Sequence, residues 1–218
     1  MSGVVSPSQD WLKEPWSDAN RERQAAKFGI WIFLASEMLF FGALILTYTA
    51  YRIQDPLAFA IAAASTNIWF GTVNTAVLLT SSLTMAVASQ AAALEIAPRR
   101  LIGWCLVATA ALGLAFLVIK GFEYKEDLEK HFFPGPSFSL AALASQIFFA
   151  LYWILTSVHA VHLTIGVGLV SRLSSRILSG RMQAHKHPQI EVTALYWHLV
   201  DVVWIILYPL LYLPGRAS

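Results

Sequence analysis

Few residues in this chain combine a reactive side chain with an apolar setting, and those few define what chemistry it can do. Glu37 lies in Phe33-Leu34-Ala35-Ser36-Glu37-Met38-Leu39-Phe40-Phe41, the single charge in an apolar run from Phe28 to about Tyr51. At 1.5 Å of rise per residue a helix places it roughly 15 Å deep, near the centre of a bilayer. An ionisable group at that depth costs about 2.5–3.5 kcal/mol on insertion scales, so it needs a reason to be there. Two reasons are equally open: a proton site that steers a neighbouring group, or a neutral carboxyl that bonds to another helix and holds the bundle together. His159 and His162, three residues apart, fall on one helical face with Ser145, Tyr152, Thr156 and Gly166. His198 and Asp201, also three apart, are placed to pair with each other or to clamp a neighbouring helix. Imidazole is a common metal ligand. A di-iron bundle, however, pairs Glu-x-x-His motifs with further glutamates, and only Glu37 lies deep in a span. A bis-histidine haem, which needs imidazoles facing across two helices, stays open. The expected metal set is none.

The elements that must carry these groups follow from composition. Of 218 residues 57% are hydrophobic and 13% charged, about half the charge a water-facing domain carries. The charges are missing from long stretches, so lipid is the solvent for most of the chain. Crossing about 30 Å of hydrocarbon takes about 20 apolar residues. Five stretches qualify, at about 28–51, 68–93, 101–122, 140–170 and 192–213. In lipid each backbone must satisfy its own hydrogen bonds, which selects helices. The expected fold is all-α: a polytopic membrane protein with a five-transmembrane-helix bundle over residues 28–213. Residues 1–27 are polar, hold no apolar core of a secretory signal, and are expected to form a cytoplasmic tail. The charged run Glu123-Tyr124-Lys125-Glu126-Asp127-Leu128-Glu129-Lys130 is helix-compatible and is expected to extend the third span into water, until Pro134-Gly135-Pro136 breaks it. Helix two carries a small and polar stripe, Asn67, Gly71, Asn74, Ser81, Ser82 and Ser89, suited to close packing.

Ten of the fifteen Lys and Arg fall on one side of the expected bundle, in the tail, the second loop (Arg99, Arg100) and the fourth loop (Arg172, Arg176, Arg181, Lys186). The positive-inside rule makes that side cytoplasmic, with the N-terminus inside and the C-terminus outside. A net charge of +2 gives no nucleic-acid footprint. The single cysteine, Cys105, cannot form an intramolecular disulfide and matches no metal spacing. No nucleophile–base pair, phosphate loop or internal repeat is visible, and no broken pair of spans suggests a transporter.

Three segments then carry a resemblance. Tyr196-Trp197-His198-Leu199-Val200-Asp201-Val202-Val203-Trp204, Ser36-Glu37 with Phe40-Phe41, and Val158-His159-Ala160-Val161-His162 with Gly166 occur in the order and spacing of the cytochrome c oxidase subunit III family. Asn74-Thr75 with Leu78-Leu79 and Glu123-Tyr124 add weaker support. The chain resembles that family over about residues 25–215, in its short five-helix bacterial form, which occurs in quinol oxidases as well as cytochrome c oxidases.

The resemblance implies a non-redox accessory subunit of a proton-translocating haem–copper terminal oxidase in aerobic respiration, in the bacterial plasma membrane. Haem and copper belong to partner subunits, so no catalytic residue is expected here. The expected partners are catalytic subunit I, with subunit II in the same complex, and membrane phospholipid bound between the helices. The implied roles are support of proton uptake and protection of the catalytic subunit during turnover. Carried over by position, Glu37 matches the family's buried, carbodiimide-reactive carboxylate, and Arg176 matches a residue that contacts lipid headgroups. The adjacent Arg172 and Arg181, with Lys186, form an expected basic loop where anionic phosphate would sit. His159, His162, His198, Asp201 and Glu123 are the expected intramembrane polar network. The competing expectations are an accessory protein of the nitric oxide reductase type and a stand-alone proton channel.

Overall fold

The computed structural model describes residues 19–94, 98–136, 138–140, 142–182 and 189–216. Among these it is entirely helical: α1 (Ala19–Gln54), α2 (Pro56–Ser65), α3 (Ile68–Ala93), α4 (Arg99–Glu129), α5 (Leu143–Leu178) and α6 (Gln189–Tyr212). Five of the six are long and apolar enough to cross a membrane, as the hydropathy pattern predicts. Several boundaries differ from that pattern. α1 begins at Ala19, so the end of the polar tail continues into the first helix. α5 starts at Leu143 rather than Leu140 and runs to Leu178, two turns past Val170. The extra turns end where Gly180 takes φ +75° while its N–H bonds to Ile177 O and the Arg181 N–H to Arg176 O, a Schellman stop. Arg172 and Arg176 therefore lie on a helix and not in the expected loop, while Lys186 falls outside the described residues.

The sixth helix, α2, is too short to span, and hydropathy gives no sign of it. Its signal is local: Asp55 accepts the Ala58 N–H at 3.1 Å as N-cap, and Pro56 supplies a ready-made first helical residue. The helix buries Ala58, Phe59, Ala62 and Ala63. Phe59 meets Tyr48 and Phe148 edge to face at 5.4 and 5.6 Å. At its other end Arg216 donates to the carbonyls of Ala63, Ala64 and Thr66, a cation at a helix C-terminus.

Pairings between helices fix their directions. Ser82 meets His198 and Thr75 meets Trp204, so α3 and α6 are antiparallel. Tyr124 bonds to Thr156 and Ser174 to the Gly103 carbonyl, so α4 and α5 are antiparallel. Lys27 pairs with Glu191 and Tyr48 bonds to Leu210 O, so α1 and α6 run parallel. α3, α4, α5 and α6 close into a four-helix ring, with α1 and α2 laid against α5 and α6. Lipid supplies no hydrophobic drive between helices, so close packing and hydroxyl bonds must hold the ring. At Gly113 a Cβ would sit 2.7 Å from Val167 and 2.8 Å from Trp197. The expected stripe on the second span supplies cross-links here: the Trp197 indole donates to Ser81 at 3.2 Å, while Gly71 faces Tyr208 and Tyr212. α1 is the exception to this packing. Only 11% of its most apolar stretch is buried, against 50% in α6.

Candidate functional site: a basic groove ending at a carboxyl–imidazole pair

α1 leans on α5 and α6 without closing against them, which leaves a groove of about 740 Å³. Its middle is apolar, with Phe33, Ile165, Leu169 and Val192. Arg172 and Arg176 line it on the last turns of α5, one helical turn apart. Glu37 and His162 line it further along, and 14 residues of α5 separate His162 from Arg176, roughly 21 Å along the axis. Arg181, exposed beyond the end of α5, is not among the groove residues.

Glu37 Oε2 lies 3.0 Å from His162 Nε2, close enough to pair but out of line for a formed hydrogen bond. The other ring nitrogen, His162 Nδ1, lies 2.9 Å from the Val158 carbonyl. A carbonyl only accepts, so Nδ1 carries a proton. Nε2 then faces Glu37 either as a lone pair toward a carboxylic acid or as an N–H toward a carboxylate. The Phe41 ring meets the imidazole edge to face at 5.3 Å, and Tyr196 donates to the His162 carbonyl at 2.9 Å, which fixes that turn of α5 against α6. Both partners stay 17–18% exposed to the groove.

The remaining expected residues do not gather around this pair. His159 shares the broad stripe with His162, but three residues turn it about 60° away. It is fully buried between Phe116 and Trp204, at 5.6 and 5.1 Å between rings. The two histidines thus share one broad face of α5 but not one pocket. His198 points to α3, where Nδ1 meets Ser82 Oγ at 2.9 Å, and it is only 3.9 Å from Asp201. Asp201, Asn74 and His159 have side-chain atoms with no hydrogen-bond partner among the described residues. Among the described residues no group of three or more His, Cys, Asp or Glu side chains is arranged to hold a metal ion.

Glu123 belongs to a second polar centre. α4 is helical through Glu129, as the charged run suggests, but part of that run is inside the protein and not in water. Lys120, Glu123 and Asp127 are 1–2% exposed and form one stripe, with Lys120 Nζ 3.0 Å from Glu123 Oε2. Tyr152 of α5 and Tyr212 of α6 complete it. Sequence reasoning missed Lys120 and Asp127 as site residues; the available signal was their spacing of three and four about Glu123, which puts all three on one face.

Comparison with known proteins agrees with this architecture. The family model for cytochrome c oxidase subunit III matches residues 17–216. The chain is 32% identical to a cytochrome c oxidase subunit 3 from Synechocystis sp., covering 85% of this chain and 74% of that one. It is 29% identical to the Alkalihalophilus pseudofirmus cytochrome c oxidase subunit 3, over 99% and 98% of the two chains. A probable quinol oxidase subunit 3 from Staphylococcus haemolyticus is 25% identical over 90% and 92%. The match spans all five long helices and both polar centres: this chain belongs to the cytochrome c oxidase subunit III family.

Proposed function

We propose that the chain is the non-redox subunit III of a proton-translocating haem–copper terminal oxidase in a bacterial inner membrane, packed beside catalytic subunit I with subunit II in the same complex. It binds a phospholipid in the α1/α5/α6 groove, stabilises the catalytic subunit during turnover, and supports proton uptake through Glu37 and His162. The observation that carries this reading is the groove itself, with Arg172 and Arg176 at one end and the Glu37–His162 pair about 21 Å away. Arginine suits phosphate because its guanidinium forms two parallel hydrogen bonds to it. The helix directions support an N-terminus inside and a C-terminus outside. They gather Lys27, Arg99, Arg172 and Arg176 at one end of the bundle, and a cytoplasmic leaflet attracts such clusters.

The test is purification of the tagged chain from its own membranes. Co-elution of two larger subunits, with haem absorbance in the complex, supports the proposal. Elution alone, with proton conduction by the isolated chain in liposomes, sinks it in favour of a channel. Within the complex, Arg172→Gln with Arg176→Gln is expected to lower bound phospholipid and hasten activity loss during turnover. Unchanged lipid and unchanged decay would remove the lipid role.

A further inference from the structure

The buried centre on α4 does not balance as a simple set of ionised side chains. The Lys120 ammonium has three protons and meets three acceptors: Glu123 Oε2 at 3.0 Å, Tyr152 Oη at 2.9 Å and Tyr212 Oη at 2.7 Å. Tyr212 passes its one proton to Glu123 Oε1 at 2.6 Å. Tyr152 Oη lies 2.8 Å from Glu123 Oε1 and 2.9 Å from Asp127 Oδ2, yet a phenol has one proton to give. With both acids ionised, one of these contacts would set lone pair against lone pair. The charges leave the same remainder: one ammonium against two carboxylates, all nearly inaccessible to solvent. A buried uncompensated charge is among the costliest features a protein can carry. One further proton removes both difficulties.

We propose that Asp127 and Glu123 share a single proton through the Tyr152 hydroxyl, with Asp127 its resting holder. As a carboxylate Glu123 receives three donors, whereas Tyr152 is the side-chain partner of Asp127 among the described residues. Transfer breaks the Asp127 O–H bond and forms one on Tyr152, while the proton originally on Tyr152 leaves for Glu123 Oε1. Negative charge moves from Glu123 to Asp127, and no electron is gained or lost. The proton advances by one turn of α4, about 6 Å. The charged and titratable groups facing Asp127 are Glu123, Lys120, Tyr124 and Lys130 of α4 and its C-terminal turn, and Tyr152 of α5. Tyr212 of α6 reaches the centre through Glu123, and α3 has no titratable residue. The inference rests on this chain alone and not on the oxidase reading.

The experiment uses the full chain in lipid nanodiscs. The infrared difference between native protein and Asp127→Asn at neutral pH is expected to contain the carbonyl stretch of a neutral carboxylic acid, shifted in heavy water. Tyr152→Phe should move that band, because the acid loses the oxygen it donates to. Asn mimics a neutral carboxyl, so Asp127→Asn should change the melting temperature by no more than about 2 °C. Glu123→Gln strips Lys120 of its counter-charge and should lower it by about 10 °C. Absence of the band, or an Asp127→Asn variant as damaged as Glu123→Gln, would show an ionised Asp127 and overturn the proposal. A band that stays fixed in Tyr152→Phe overturns the sharing.

Discussion

Glu37 and Glu123 are both carboxyl groups in membrane-spanning helices, and the protein treats them in opposite ways. Glu37 stands on the least buried helix, 17% exposed, beside one imidazole that is near but not aligned. Glu123 is 1% exposed and receives an ammonium and two phenols from three helices. In the closed ring the ionisable groups are hydrogen-bonded to one another, so changing one group disturbs several. In the groove the acid and the imidazole lie side by side with an open side. The contrast separates a polar centre enclosed by the ring from one that opens onto the groove.

The largest test of that contrast is Lys120→Met, which leaves Glu123 without its cation and should cost about 3–5 kcal/mol in detergent unfolding. Adding Glu123→Gln should cost less than the sum of the two changes, because they share one network. Next is a pair of glycines. Gly113→Ala drives a methyl into Val167 and Trp197 inside the ring and should cost about 1–3 kcal/mol. Gly42→Ala on α1, with nothing within 4 Å, should be neutral or stabilising by up to about 1 kcal/mol. Equal losses at the two positions would erase the distinction between ring and outrigger. Replacing Arg172 and Arg176 by Gln should weaken anionic phospholipid binding by on the order of 2 kcal/mol, about 1 per arginine, read by lipid mass spectrometry. The smallest stability effect is expected at Glu37→Gln, within about 1 kcal/mol, since a partly exposed pair is worth little. Its signature belongs in proton uptake by the complex.

Much of this was legible in the sequence because lipid imposes a strict grammar on the chain. A span must be long, apolar and helical, so five of six helices follow from hydropathy alone. α2 escaped because ten residues are too few to cross; its Asp55-Pro56 start was visible but local. Glu37 was legible for the same reason the spans were, as a charge where none belongs. Lys120 and Asp127 were not, since they fall where a run of charges normally marks the exit to water. What hides them is Tyr152, Tyr212 and the Schellman turn at His131 (φ 57°), where the Phe132 N–H bonds back to Asp127 O. Those partners lie on other helices or beyond the helix end, so one-dimensional periodicity cannot reveal them. His159 and His162 teach a related lesson. Three residues of helix place two side chains on one broad stripe but not in one pocket, and only the positions of α1 and α6 decide which imidazole meets the acid.

The thin attachment of α1 has a bearing on how the protein is made. Ribosomal synthesis runs from the amino end, so Glu37 enters the bilayer before any of α5 exists. Its imidazole comes 125 residues later in the chain, and α6, the other wall that α1 leans on, later still. For that interval the acid of the first helix lacks the imidazole partner it has in the finished fold, and α1 has only α2 of its final neighbours beside it. Docking of α1 is thus a closing step of assembly, and the groove is the seam it leaves.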